Sequence, residues 1–154
     1  MKSTYFIVSA ALLSGCMADE NQCVLPEGVV AIKLTSIVSK GEIQIRRIDD
    51  KKYGIRFSTF HPVDGKRLYT ALGTGTCRNQ QFIAEFTGHR IDRSELKVVE
   101  GSFTGTFSND PFGKHYGEWA VKVELLADLQ PMPFEVQETY GKRYVVDKGI
   151  WSLQ

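Results

Sequence analysis

The sequence predicts an all-β fold, a single antiparallel β-barrel or β-sandwich of about eight to nine short strands. Three observations point there. Apolar and polar residues alternate at period two over several segments, the pattern of strands with one buried face. Glycine, proline, asparagine and aspartate fall between those segments, as turns require. Helical periodicity is scarce. The best candidate is residues 92–99, where Asp92-Arg93-Ser94-Glu95 has the form of a capping box. Val98 and Val99 favour extended structure there and limit any helix to a single turn.

Taken in chain order, residues 28–39 supply the first strand. Residues 42–49 (EIQIRRID) and 52–60 (KYGIRFSTF) flank Asp50-Lys51. Ile43 and Ile45 alternate with Gln44 and Arg46, and Tyr53, Ile55 and Phe57 alternate with Gly54, Arg56 and Ser58, so the pair reads as a hairpin. Asp64-Gly65 marks a turn before residues 67–73, and the glycine-rich residues 72–76 (LGTGT) are expected to end that strand beside Cys77. Residues 80–88 (QQFIAEFTG) add another strand. In residues 101–109 (GSFTGTFSN), Phe103, Gly105 and Phe107 alternate with Ser102, Thr104, Thr106 and Ser108. In residues 118–126 (EWAVKVELL), Trp119, Val121, Val123 and Leu125 alternate with Ala120, Lys122 and Glu124. These two segments are expected to be antiparallel neighbours. Gly105, between two phenylalanines, leaves a notch for a partner side chain or a strand bend. Residues 143–147 and 149–153 form a terminal pair of strands. Trp151 and Leu153 face the same way, so the last strand can close the sheet onto the first. In general shape this resembles the calycin-like barrels, although the Gly-x-Trp that lipocalins carry in their first strand stands here at the end, at Gly149-Ile150-Trp151.

The leader carries a different message. Lys2 supplies a positive n-region, and residues 5–13 (YFIVSAALL) supply an apolar run of the length expected for the h-region of an export signal. A membrane helix would need roughly 20 apolar residues, and this run soon meets Asp19 and Glu20. It closes on Leu13-Ser14-Gly15-Cys16, which resembles the bacterial lipobox, where small residues let a protease draw the backbone into a narrow cleft. The resemblance implies that residues 1–15 are a signal peptide and that Cys16, the lipidated mature N-terminus, carries diacylglycerol and an N-acyl chain such as palmitate. Two or three chains, at about 0.8 kcal/mol per buried methylene, hold a protein on a membrane essentially permanently. Met17, rather than aspartate, follows the cysteine. By the sorting preference of enterobacterial lipoproteins this implies the outer membrane, facing the periplasm, in preference to the inner membrane. Residues 16–22 then serve as a polar tether and residues 23–154 as one β domain.

Lipidation also resolves an odd cysteine count. With Cys16 used, Cys23 and Cys77 remain as an even pair in an oxidising compartment, and a disulfide between them is expected to stabilise the fold by roughly 2–4 kcal/mol. Two free thiols or a metal pair are the competing readings, but there is no CxxC spacing and no histidine close to Cys77 in sequence.

Charge narrows the partners. The chain has 19 basic and 18 acidic residues; Lys2 is the only one of these in the leader, so the mature chain is formally neutral. Arg46-Arg47 and Lys51-Lys52 are interrupted by Asp49 and Asp50, the mixed pattern of a solvated hairpin tip, so no nucleic-acid partner is expected. Membrane contact is expected from the lipid.

Catalytic motifs are missing from the sequence. His61, His89 and His115 stand far apart without metal-ligand spacing, and no GxSxG, P-loop or paired-carboxylate signature appears. The expectation is a protein that is not an enzyme, with no catalytic residue, metal or cofactor. Residues 109–119 (NDPFGKHYGEW) are the segment where binding chemistry concentrates: Phe112 and Tyr116 as aromatic anchors, Lys114 and His115 as polar contacts. The competing reading folds Phe112 back as a lid on the core. Phe60-His61-Pro62 is a fainter candidate. The sequence thus points to a non-catalytic, lipid-anchored envelope protein whose β domain binds a protein or cell-envelope component. The alternative is a carrier of a small hydrophobic ligand inside a lipocalin-like barrel. That carrier needs a cavity of roughly 300 Å³ or more.

Overall fold

The structure is a computed structural model and describes residues 22–35, 40–87, 95–127 and 135–153. The expected signal peptide at residues 1–15, Cys16, His89 and the start of the expected helical turn at residues 92–94 lie outside them. The described residues contain no helix and form nine strands: β1 (Val29–Leu34), β2 (Lys40–Arg47), β3 (Tyr53–Phe60), β4 (Arg67–Arg78), β5 (Gln81–Thr87), β6 (Leu96–Thr106), β7 (Tyr116–Leu125), β8 (Val136–Thr139) and β9 (Lys142–Leu153).

Strands β1 to β7 run as an antiparallel meander, and β9 follows beside β7. β9 then pairs with β1 through Ile32↔Leu153, Lys33↔Ser152 and Leu34↔Trp151, which closes eight strands into a barrel. β8 is an extra strand, paired with β9 through Val136↔Val145 to Thr139↔Lys142. Closure pairs the edges that β1 and β9 would present in an open sheet.

The period-two pattern becomes the inside and outside of the barrel. Ile43, Ile45, Ile55, Phe57, Phe82, Phe86, Phe103, Trp119, Val121, Val123, Val145 and Trp151 are all buried in one core. Lys33, Arg46, Arg56, Glu85, Lys97 and Lys148, at alternate positions on the same strands, are exposed. An apolar inside and a charged outside invert the arrangement of a membrane-spanning barrel, whose outer band is apolar. Phe57 lies between neighbouring rings, with centroids 5.7 Å from Phe86, 5.9 Å from Phe103 and 5.3 Å from Trp119.

The expected notch at Gly105 is filled. Gly105 and Gly117 are directly opposite on β6 and β7, and the indole of Trp151 lies across them, its Nε1 donating to the carbonyl of Thr104 at 2.8 Å. A Cβ on Gly105 would stand 2.5 Å from Cζ2 of Trp151, so only glycine admits the ring.

Several boundaries differ from expectation. The terminal pair of strands is one continuous strand, β9, because Gly149 pairs with Trp119 in mid-ladder without interrupting it. β8 carries no apolar alternation, all four of its residues being exposed, and so left no sequence signal. Residues 72–76 do not end a strand: β4 continues through Cys77 to Arg78 and turns at Asn79-Gln80, both with positive φ, which places Gln80 in the turn and not in β5. Val98 and Val99 belong to β6, as their extended preference suggests.

The meander sorts the connections into two ends. The β2–β3, β4–β5 and β6–β7 connections share one end with the segment entering β1, here termed the proximal end. The β3–β4 turn and the β8–β9 turn at Tyr140-Gly141 lie at the distal end. At the proximal end Cys23 is joined to Cys77 by a disulfide with Cα atoms 5.7 Å apart. The bridge fixes the segment before β1 to β4, and Cys23 and Leu25 pack against the core there.

Candidate functional site

The β6–β7 connection spans residues 107–115, shorter than the sequence pattern suggests because β7 already begins at Tyr116. Its shape follows from short-range hydrogen bonds. The carbonyl of Asp110 accepts from Gly113 N at 2.8 Å, closing a turn with Pro111 at its second position, where the fixed φ of proline is suited. The Asp110 carboxylate accepts from Phe112 N at 2.9 Å, and Asp110 N donates to Ser108 Oγ at 3.0 Å. Below this turn, Ser108 N donates to His115 Nδ1 at 3.2 Å, and Leu153 N donates to the His115 carbonyl at 3.3 Å. The loop is therefore braced from inside and tied to the end of β9.

This geometry separates the four loop candidates. Phe112 is 94% exposed, so it is displayed at the tip and does not fold back as a lid. Lys114 and Tyr116 are exposed beside it. His115 is half-buried, its ring centroid 6.5 Å from that of Phe107, and its Nδ1 holds the loop backbone. The loop thus brings Phe112, Lys114 and Tyr116 to the surface, while His115 supports them.

The fainter candidate is a turn of similar construction. His61 Nδ1 lies 3.3 Å from Val63 N and 3.2 Å from Asp64 Oδ1. The Asp64 carboxyl is held below its ordinary value, first by the hydrogen bond from Lys66 N and then by the charges of His61 and Lys66. The turn stands at the distal end, away from the β6–β7 loop.

Inside the barrel lies a polar pair that sequence reasoning missed. Tyr69 on β4 donates its hydroxyl to the carboxylate of Asp147 on β9 at 2.8 Å, both groups being buried. Burial and the neighbouring carboxylate both disfavour the phenolate, so the Tyr69 hydroxyl titrates well above its ordinary value. The signal was present in the parity of β9: Val145, Asp147 and Trp151 share the inward face, and a carboxylate at such a position must find a buried partner. Leu68, Leu96, Val123, Leu125 and Val145 surround the pair and leave about 10 Å³, the space of a water molecule.

Outside the barrel, an open groove of about 800 Å³ runs between the β2–β3 tip and the outer face of β4 and β5, with Lys51, Lys52, Arg78, Ile83 and Glu85 on its walls. Much of the charge at that tip is internally engaged. Asp49 accepts from Lys51 N and Lys52 N, each at 2.8 Å, and Arg47 pairs with Asp50 at 2.7 Å. Among the described residues no three His, Cys, Asp or Glu side chains gather as a metal site.

No family model, no curated protein and no solved structure matches this chain.

Proposed function

We propose that this chain is a non-catalytic lipoprotein, held on the outer membrane through Cys16, whose β domain faces the periplasm and binds a protein or cell-envelope component through its exterior. The observation that carries the binding part is the combination of an interior packed, among the described residues, with the side chains of one core and an aromatic side chain held out on a braced loop. Phe112 is 94% exposed, although a ring of its size ordinarily finds cover in a small β domain. The anchoring part rests on Leu13-Ser14-Gly15-Cys16 and on the pairing of Cys23 with Cys77, which leaves Cys16 as the third cysteine.

Replacing Cys16 by Ser tests the anchor. The wild-type chain is expected in membrane fractions with its leader removed and its mass raised by acyl groups; the C16S variant is expected in the soluble fraction or as uncut precursor. Unchanged processing and unchanged membrane association in the variant would refute the reading.

The alternative, a carrier of a small hydrophobic ligand, shares the barrel architecture. It needs roughly 300 Å³ of enclosed space, whereas the interior pocket that the described residues form around Tyr69 and Asp147 offers about 10 Å³. A small molecule retained through purification and visible by native mass spectrometry would restore it.

A further inference from the structure

The Cys23–Cys77 bridge sets where the tether leaves the folded domain, and this constrains which end of the barrel can meet a membrane. Seven residue steps separate Cys16 from Cys23. At 3.3–3.6 Å per residue they span at most about 25 Å, whatever their conformation. β9 has 12 residues. At about 3.3 Å per residue and a strand tilt near 40°, the barrel stands roughly 30 Å tall. The tether therefore falls short of the distance needed to run back along the barrel and bring the distal end to the lipid. The proximal end lies at the tether's exit.

What that end displays fits such a contact. Phe112 is 94% exposed at the β6–β7 tip, Ile48 is 58% exposed at the β2–β3 tip, and Val24 is 38% exposed beside the bridge. Cations stand among them at Lys51, Lys52, Arg78 and Lys114, with Glu27, Asp49, Asp50 and Asp110 in the same region. Asp49 and Asp110 spend their carboxylates on backbone N–H groups of their own turns, and Asp50 is paired with Arg47. The signs nearly cancel, so contact here depends on apolar side chains and long amphipathic lysines more than on net charge.

We propose that the proximal end of the barrel rests on the bilayer that holds the protein's own lipid anchor, with Phe112 seated among the headgroups. This rests on the anchor reading above and adds an orientation to it. The envelope component bound by the β6–β7 loop is then the membrane surface itself, and the distal end, with Tyr140 and Val63 exposed, points away from it.

The test uses the mature lipidated full-length protein in phosphatidylcholine vesicles, with bromines on the acyl chains as fluorescence quenchers. Two variants are compared: Phe112→Trp at the proximal tip and Tyr140→Trp at the distal turn, where Tyr140 is 99% exposed. Trp119 and Trp151 are 2% and 0% exposed and give a common background. Interfacial side chains sit about 5–10 Å into the headgroup boundary, so the tryptophan at 112 is expected to shift to the blue and lose at least about twofold more emission to the bromines than that at 140. The same difference is expected with and without anionic lipid. Vesicle flotation is measured on the same samples. If the protein floats but both positions are quenched alike, or 140 more than 112, the orientation is refuted and the anchor stands. If it does not float, the anchor reading fails and the orientation falls with it.

Discussion

Trp151 lays its indole against Gly105 of β6, across the intervening β7, leaving no space for a Cβ there, and it does so from the strand that closes the barrel onto β1. One side chain therefore joins the fit of β6 and β7 to the closure of the sheet. A Gly105→Ala variant must either displace the ring or open the β6–β7 ladder, and overpacking of this kind costs about 1–3 kcal/mol. A lowered midpoint in urea unfolding is the expected outcome, with weakened protection of the Trp151 indole N–H, which donates to Thr104 O.

How much of this was legible beforehand follows from which residues carry a period. Trp119, Val121, Val123 and Leu125 announce β7, and Trp151 with Leu153 announces the closing strand, because half-buried strands must alternate. β8 was invisible, since residues 136–139 are all exposed and show no apolar alternation, and their pairing with β9 is not marked by any local pattern. The Tyr69–Asp147 pair joins residues 78 apart in sequence, and no local pattern brings them together. At the candidate site, the residue types of the β6–β7 loop were readable as display chemistry, but His115 was not readable as a brace. That role depends on Ser108 N, seven residues earlier, meeting its Nδ1.

The disulfide closes a loop of 54 residues across the first four strands. A Cys23→Ala/Cys77→Ala double variant retains the barrel ladders and loses about 2–4 kcal/mol of stability, mainly through a less restricted unfolded state. Calorimetry is expected to show a lower melting temperature, and hydrogen exchange to show faster exchange in residues 22–28 before it rises elsewhere.

Phe112 and Phe103 are the same residue type in opposite circumstances. Phe103 is fully buried, stacked on Trp151 with centroids 5.0 Å apart, whereas Phe112 touches little. Phe103→Ala is expected to cost about 3–5 kcal/mol, while Phe112→Ala stays within about 0.5 kcal/mol of wild type. A large loss in the second variant, measured by denaturant titration, would mean that Phe112 covers the core and would remove it as a binding residue.

Tyr69 makes the most specific prediction because its chemistry and burial act in the same direction. Burial, then the carboxylate of Asp147, raises the folded-state pKa of its hydroxyl well above the ordinary value of 10.0. The folded protein therefore keeps a proton that the unfolded chain releases. The stabilisation is fully present below pH 10 and diminishes as pH rises from there toward the folded-state value. Tyr69→Phe removes the donor and leaves the carboxylate short of one bond, a loss of about 1–3 kcal/mol at neutral pH. The variant no longer has this alkaline dependence. The stability difference between wild type and variant should thus be largest at neutral pH and narrow above pH 10, as followed by urea unfolding across that range. A difference that stays constant up to pH 11 would show that folding does not raise the pKa of the Tyr69 hydroxyl.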